Sequence, residues 1–182
     1  MTKALCVFCG SQIGNTGAFR DAATALGEEL ARRRVRLVYG GATVGLMGVV
    51  ADAVLSSGGH AVGVIPEFMV ERELAHKGLD ELLVVDSMHA RKQAMADRAD
   101  AFLALPGGYG TLEEIFEALT WSQLGIHSKP CGFLNLNEYY NAVGELLDNM
   151  VRFGFLYPEN RERAIIESDA ALLLDRLGFS EA

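Results

Sequence analysis

No apolar run in this sequence reaches the roughly 18 residues that a membrane-spanning helix needs. The start, Met1-Thr2-Lys3, leads straight into apolar residues, but Cys6 to Gly10 reads as a strand and its turn. A secretion signal would need a longer apolar core and a small-residue cleavage site, so the expected location is the cytoplasm. Cysteine is scarce: Cys6, Cys9 and Cys131 are too few for a disulfide framework. Cys6 and Cys9 have CxxC spacing, yet residues three apart on a strand face opposite ways and cannot close on one metal or on each other. Positive charge is scarce as well, with 16 Lys and Arg against 24 Asp and Glu and a net charge of −8. The one basic cluster, Arg32-Arg33-Arg34 with Arg36, falls where a helix should end and suits the dipole there, so no nucleic-acid partner is expected. His60, His76, His89 and His127 show no metal-ligand spacing, and neither a metal nor another cofactor is expected.

What is present describes a compact chain. Half of the 182 residues are hydrophobic and 22% are charged, ordinary values for a chain able to bury a core. Short apolar runs at Ala4–Cys9, Arg36–Tyr39, Ala61–Ile65, Leu82–Val85, Ala101–Leu105, Cys131–Leu134 and Ala164–Ile166 predict strands. Amphipathic stretches at Ala18–Arg33, Leu46–Ser57, His89–Ala99, Thr111–Leu124, Glu138–Arg152 and Ala170–Leu177 predict helices between them. The strands are apolar throughout rather than alternating, as in a parallel sheet covered on both faces. Residues 1–182 therefore read as one doubly wound, Rossmann-like α/β domain with a mostly parallel sheet. The charged stretch from Glu67 to Asp80 breaks the rhythm and predicts a loop or short irregular helix framing the site.

Three predicted strands end in glycine: Gly10-Ser11, Gly40-Gly41 and Pro106-Gly107-Gly108. All three turns belong at the carboxyl edge of the sheet, where ligands of such folds bind. Gly40 to Gly45 has the outer glycines of a P-loop, but Leu46-Met47 replace the lysine and hydroxyl that grip a triphosphate. Gly108-Tyr109-Gly110 begins a dinucleotide fingerprint, yet Glu113 stands at the third glycine position. What remains in Pro106-Gly107-Gly108-Tyr109-Gly110-Thr111 is a monophosphate cradle of backbone N–H groups, a hydroxyl and a helix start. A tight turn with an N-cap threonine would account for one or two of the glycines. Glu114 is expected in the first helical turn, ionised by the dipole, as a base or a stabiliser of positive charge. Arg91, with Lys92 as a further cation, opens the preceding helix at the same edge.

Met88-His-Ala-Arg91-Lys92 followed by Pro106-Gly-Gly-Tyr-Gly-Thr-Leu-Glu-Glu114 resembles the LOG ("Lonely guy") family of cytokinin riboside 5′-monophosphate phosphoribohydrolases, which are often mislabelled lysine decarboxylases. Cys6-Val-Phe-Cys-Gly-Ser11, Tyr39 to Gly48 and Leu119 to His127 extend the likeness over nearly the whole chain, with a departure at Ala42, where many members carry a third consecutive glycine. The resemblance implies hydrolysis of the N-glycosidic bond of an adenine-type nucleoside 5′-monophosphate, with Arg91 and Glu114 as the catalytic pair. It implies that Gly107, Gly108, Gly110 and Thr111 hold the phosphate, that Glu73, Lys92, Tyr109, Glu113 and Thr120 contact substrate, and that the protein is a homodimer or larger with sites near the interface. A decarboxylase would need a Schiff-base lysine, and of Lys3, Lys77, Lys92 and Lys129 only Lys92 lies at the right edge. A non-catalytic carrier of a nucleotide or of the molybdenum cofactor would need the cradle but not Arg91 with Glu114.

Overall fold

The computed structural model describes residues 2–70 and 74–180. Seven strands form one sheet in the order β4-β3-β2-β1-β5-β6-β7, and every neighbouring pair is parallel. They are β1 (Ala4–Phe8), β2 (Arg36–Tyr39), β3 (Ala61–Pro66), β4 (Glu81–Val85), β5 (Ala101–Ala104), β6 (Cys131–Leu134) and β7 (Ala164–Glu167). The helices are α1 (Gly17–Arg32), α2 (Gly45–Ser56), α3 (Glu67–Val70), α4 (Met88–Arg98), α5 (Tyr109–Gln123), α6 (Asn141–Arg152), α7 (Pro158–Arg161) and α8 (Ala170–Arg176). None of the helices among the described residues is long and apolar enough to cross a membrane.

Alternation along the strands sorts their side chains into two core layers. Leu5, Val7 and Cys9 pack with α1, α2 and α8, whereas Ala4, Cys6 and Phe8 pack with α4, α5 and α6. Cys6 and Cys9 thus lie on opposite faces, and burial pushes both thiols up. Because β1 pairs with both β2 and β5, the strand order reverses there, and the crevice between the loops after β1 and β5 is the fold's natural ligand position.

Two expectations are corrected. The strands are not covered throughout: on β4, one of the two edge strands, Leu82 and Val84 share a face and are 36% and 48% exposed. The sixth helix starts at Asn141 rather than at Glu138, because Asn137 and Glu138 adopt left-handed φ values of 48° and 60° that no right-handed helix accepts. The basic cluster is structural. The Arg33 side chain, 3% exposed, bonds Glu29 at 2.6 Å and Asp175 at 2.5 Å. Beyond the short α3, the chain returns to the β2 loop, where Thr43 donates to the Leu74 carbonyl and His76 N–H to that of Gly41.

Helices α1 and α2 approach closely at Gly27 on α1. A Cβ there would lie 2.6 Å from the Ala53 Cβ and 2.8 Å from the Val50 carbonyl of α2. Gly27→Ala should therefore cost about 1–3 kcal/mol through overpacking, read as a lower urea midpoint; an unchanged midpoint would show that the helices separate freely.

Candidate functional site

Hydrogen bonds give the turn after β5 a fixed polarity. The Leu105 carbonyl accepts from the Tyr140 hydroxyl at 2.6 Å, and that of Gly107 from the Tyr139 hydroxyl at 2.6 Å. The Pro106 carbonyl accepts from Gly10 N–H at 3.1 Å, and that of Gly108 from Leu112 N–H at 3.2 Å. The N–H groups from Gly107 to Thr111 find no acceptor among the described residues, and no described side chain caps α5 at its N-cap, Gly108. Carbonyls turned inward and amides left over are what an anion site at a helix start requires.

The glycines divide by cause. A Cβ at Gly107 would sit 2.0 Å from the Thr111 hydroxyl and 2.9 Å from the Gly10 nitrogen, so packing alone demands glycine there. At Gly108 and Gly110 a Cβ would meet no described atom within 4 Å, and neither has a positive φ. Neither packing nor backbone strain accounts for these two, and both leave their outer side open. A cavity of about 320 Å³ opens beside the turn, walled by the loop Gly10–Gly14, Phe19, Leu46, Pro106–Gly108 and Tyr139. It occupies the β1/β5 crevice.

On the other core layer's side of the turn lie Arg91 and Glu114. Ser87 caps α4 by accepting from Ala90 N–H at 3.1 Å, and Arg91 follows in that helix. Its guanidinium is buried, donating to the Val64 carbonyl at 3.1 Å and the Gly40 carbonyl at 3.3 Å, with Glu114 Oε1 at 3.5 Å from Nη1. Gly40 is needed for this reach, since a Cβ would lie 1.9 Å from Arg91 Nη2.

Here the structure corrects the expectation for Glu114. Helix α5 begins at Tyr109, which puts Glu114 in the second turn and its side chain at 11% exposure. Burial raises its carboxyl above the usual carboxylate range; the Arg91 charge offsets part of the rise, and the Glu113 charge adds to it. The dipole is not what governs it.

The remaining predicted residues scatter. Lys92 Nζ lies 2.5 Å from Glu113 and 3.0 Å from Glu117, so it pins α4 to α5 instead of reaching toward the cradle. Tyr109 is 95% exposed, and Thr111 is buried beneath Gly107. The Thr120 hydroxyl bonds the Phe116 carbonyl at 2.7 Å on the exposed side of α5, about 13 Å along the helix from Thr111. Glu73 lies outside the described residues. Tyr139 and Tyr140 were not foreseen. Their sequence signal is an adjacent tyrosine pair just past a strand that ends at the same sheet edge. Among the described residues no cluster of His, Cys, Asp and Glu could hold a metal ion.

Several known proteins are similar to this chain. A family model described as "Possible lysine decarboxylase" matches residues 47–177. A cytokinin riboside 5′-monophosphate phosphoribohydrolase of Arabidopsis thaliana is 47% identical over 175 residues, covering 96% of this chain and 82% of that protein. A probable enzyme of the same name from Oryza sativa subsp. japonica is 49% identical, covering 96% and 77%. Among solved structures, the molybdenum cofactor binding protein from Rippkaea orientalis superposes with a TM-score of 0.75 at 21% identity, covering 98% of this chain and 96% of that one. The Chlamydomonas reinhardtii molybdenum cofactor carrier protein gives 0.74 at 18% identity, covering 98% and 97%. At those identities the likeness is one of fold.

A carboxyl whose folded-state pKa lies above its unfolded value favours folding at low pH, and that contribution is lost as pH rises through the folded value. Glu114 therefore penalises folding at neutral pH. Glu114→Gln should melt above the unsubstituted protein at about pH 7.5, with the gap closing as pH falls through roughly 4. Equal melting temperatures across that range would show that Glu114 carries no such penalty.

Proposed function

Because the chain belongs to the family of the cytokinin riboside 5′-monophosphate phosphoribohydrolases, we propose that it hydrolyses the N-glycosidic bond of adenine-type nucleoside 5′-monophosphates, releasing free base and ribose 5-phosphate. The observation that carries this reading is that one helix links both parts: a turn with unclaimed N–H groups opens α5, and Glu114, paired with buried Arg91, lies in its second turn. In this reading the 5′-phosphate docks on the amides of Gly107, Gly108, Tyr109, Gly110 and Thr111, and the ribose faces Arg91 and Glu114. Breaking the C1′–N bond builds oxocarbenium character on the sugar, which the Glu114 carboxylate stabilises. Water adds to C1′ and gives a proton to Glu114, while the base leaves with the bonding electron pair and takes a proton from solvent, to which Glu114 afterwards returns its own. The raised carboxyl suits that transfer, because a base held above the usual carboxylate range accepts a proton more readily near neutral pH. Arg91 is permanently charged, and it orients Glu114 and the substrate.

Substrate contact by Glu73, Lys92, Glu113 and Thr120 belongs to this proposal on the family likeness alone. We assign a homodimer or larger assembly, with sites near the interface. Leu124, Ile126, Phe153, Phe155 and Tyr157, all at least 65% exposed, are apolar side chains that a contact between subunits would cover.

The decarboxylase label of the family model conflicts with the lysines. Lys92, the one at the carboxyl edge, is held charged by the hydrogen bonds it donates to Glu113 and Glu117, which outweigh its burial, whereas a Schiff-base lysine must be neutral. A carrier function has the fold likeness in its favour, but it leaves the Arg91–Glu114 pair without a task.

Purified protein should release ribose 5-phosphate from AMP or from N6-isopentenyladenosine 5′-monophosphate, and comparing the two fixes the substrate preference. Glu114→Gln and Arg91→Lys should each lower turnover by at least ~100-fold, about 2.7 kcal/mol of barrier. Full activity in either variant removes that residue from the mechanism, and tight AMP binding without ribose 5-phosphate release would favour the carrier.

A further inference from the structure

We propose that Tyr139 is a positioning residue for phosphate binding: its hydroxyl, held on the Gly107 carbonyl, sets which way the Gly107–Gly108 peptide faces. The proposal rests on the phosphate-cradle reading above. A trans peptide is planar, so a carbonyl fixed toward Tyr139 turns the Gly108 N–H to the opposite side. With glycine on both sides of that bond, little else in the local backbone resists a flip that would point the carbonyl where the N–H belongs. A flipped peptide would repel an anion.

The structure goes to some length to present this hydroxyl. Between β6 and α6, Asn137 and Glu138 are consecutive non-glycine residues with φ of 48° and 60°, a pairing that persists only where the surroundings enforce it. Asn135 braces the turn, accepting from Tyr140 N–H at 2.7 Å and donating to Asn141 at 2.8 Å. The Tyr139 ring stands edge-on to Tyr140 and Phe19, at centroid distances of 5.0 and 6.1 Å, and borders the cavity. Its hydroxyl then donates to the Gly107 carbonyl at 2.6 Å.

Tyr140 supplies the internal control. Its hydroxyl donates to the Leu105 carbonyl, also at 2.6 Å, but the nitrogen of that peptide belongs to Pro106 and carries no hydrogen. Fixing it aims nothing at a ligand. Tyr140 is fully buried and serves the core, whereas Tyr139 is 46% exposed.

The test compares Tyr139→Phe with Tyr140→Phe, both of which keep the ring. Ribose 5-phosphate affinity is measured by titration calorimetry, and KM and kcat for AMP are measured separately. Tyr139→Phe should weaken ribose 5-phosphate binding and raise KM by about 10-fold, the scale of one well-aimed hydrogen bond to an anion. It should leave kcat and the melting temperature nearly unchanged. Tyr140→Phe should lower the melting temperature and leave ribose 5-phosphate affinity as it was. Unchanged affinity in Tyr139→Phe, equal weakening in both variants, or a fall in kcat at constant KM would overturn the proposal. If the unsubstituted protein binds ribose 5-phosphate but does not cleave AMP, the hydrolase reading fails while the calorimetry still decides the role of Tyr139. If it neither binds ribose 5-phosphate nor cleaves AMP, both fail.

Discussion

The hydrogen bond from the Gly10 amide to the Pro106 carbonyl, 3.1 Å long, joins the loops after β1 and β5 at the place where strand order reverses. Much of the site follows from that tie. The Pro106 carbonyl is turned toward β1, and Tyr139 after β6 holds the Gly107 carbonyl. The leftover amides then lie together at a helix start, where backbone geometry alone favours an anion. Gly107 tolerates the crowding this creates beneath Thr111, while Gly108 and Gly110 leave the outer side open.

Charge is handled locally, as a chain with net charge −8 requires if it is to hold a phosphate. Arg91 is buried because two strand-end carbonyls and Glu114 together replace the water it gives up. Glu114 gains less from the same pair than burial costs it, so its carboxyl stays raised and reactive toward protons. Lys92 is neutralised by Glu113 and Glu117, which locks α4 against α5 and so holds Arg91 and Glu114 in register. Carbonyls, carboxylates and helix packing thus set the site together.

Most of the fold was legible because apolar runs and glycine punctuation mark the ends of parallel strands. Arg36–Tyr39 and Cys131–Leu134 match the observed strands to the residue. The glycine turn after β5 was legible for the same reason, since it too punctuates a strand end. Helix starts were less so. The fifth helix begins at Tyr109 instead of Thr111, and that shift of one half turn moves Glu114 from the dipole's reach into a buried second turn. Glu138 has good helix propensity, yet tertiary contacts hold it left-handed. Tyr139 and Tyr140 act on carbonyls 32 and 35 residues away, and no local pattern encodes a partner at that distance. The pairing of Lys92 with two acids on another helix was hidden for the same reason.

The central claim is that the amides after β5 receive the 5′-phosphate. Its most direct test is a titration of 15N-labelled protein with ribose 5-phosphate, followed through the backbone amide resonances. Saturable shifts should concentrate at Gly107, Gly108, Tyr109, Gly110 and Thr111, with smaller ones at Gly10 and Ser11 across the crevice. Shifts confined to Arg33, Arg34 and Lys3 at the opposite edge of the sheet, or none at the turn under saturating ligand, would contradict it.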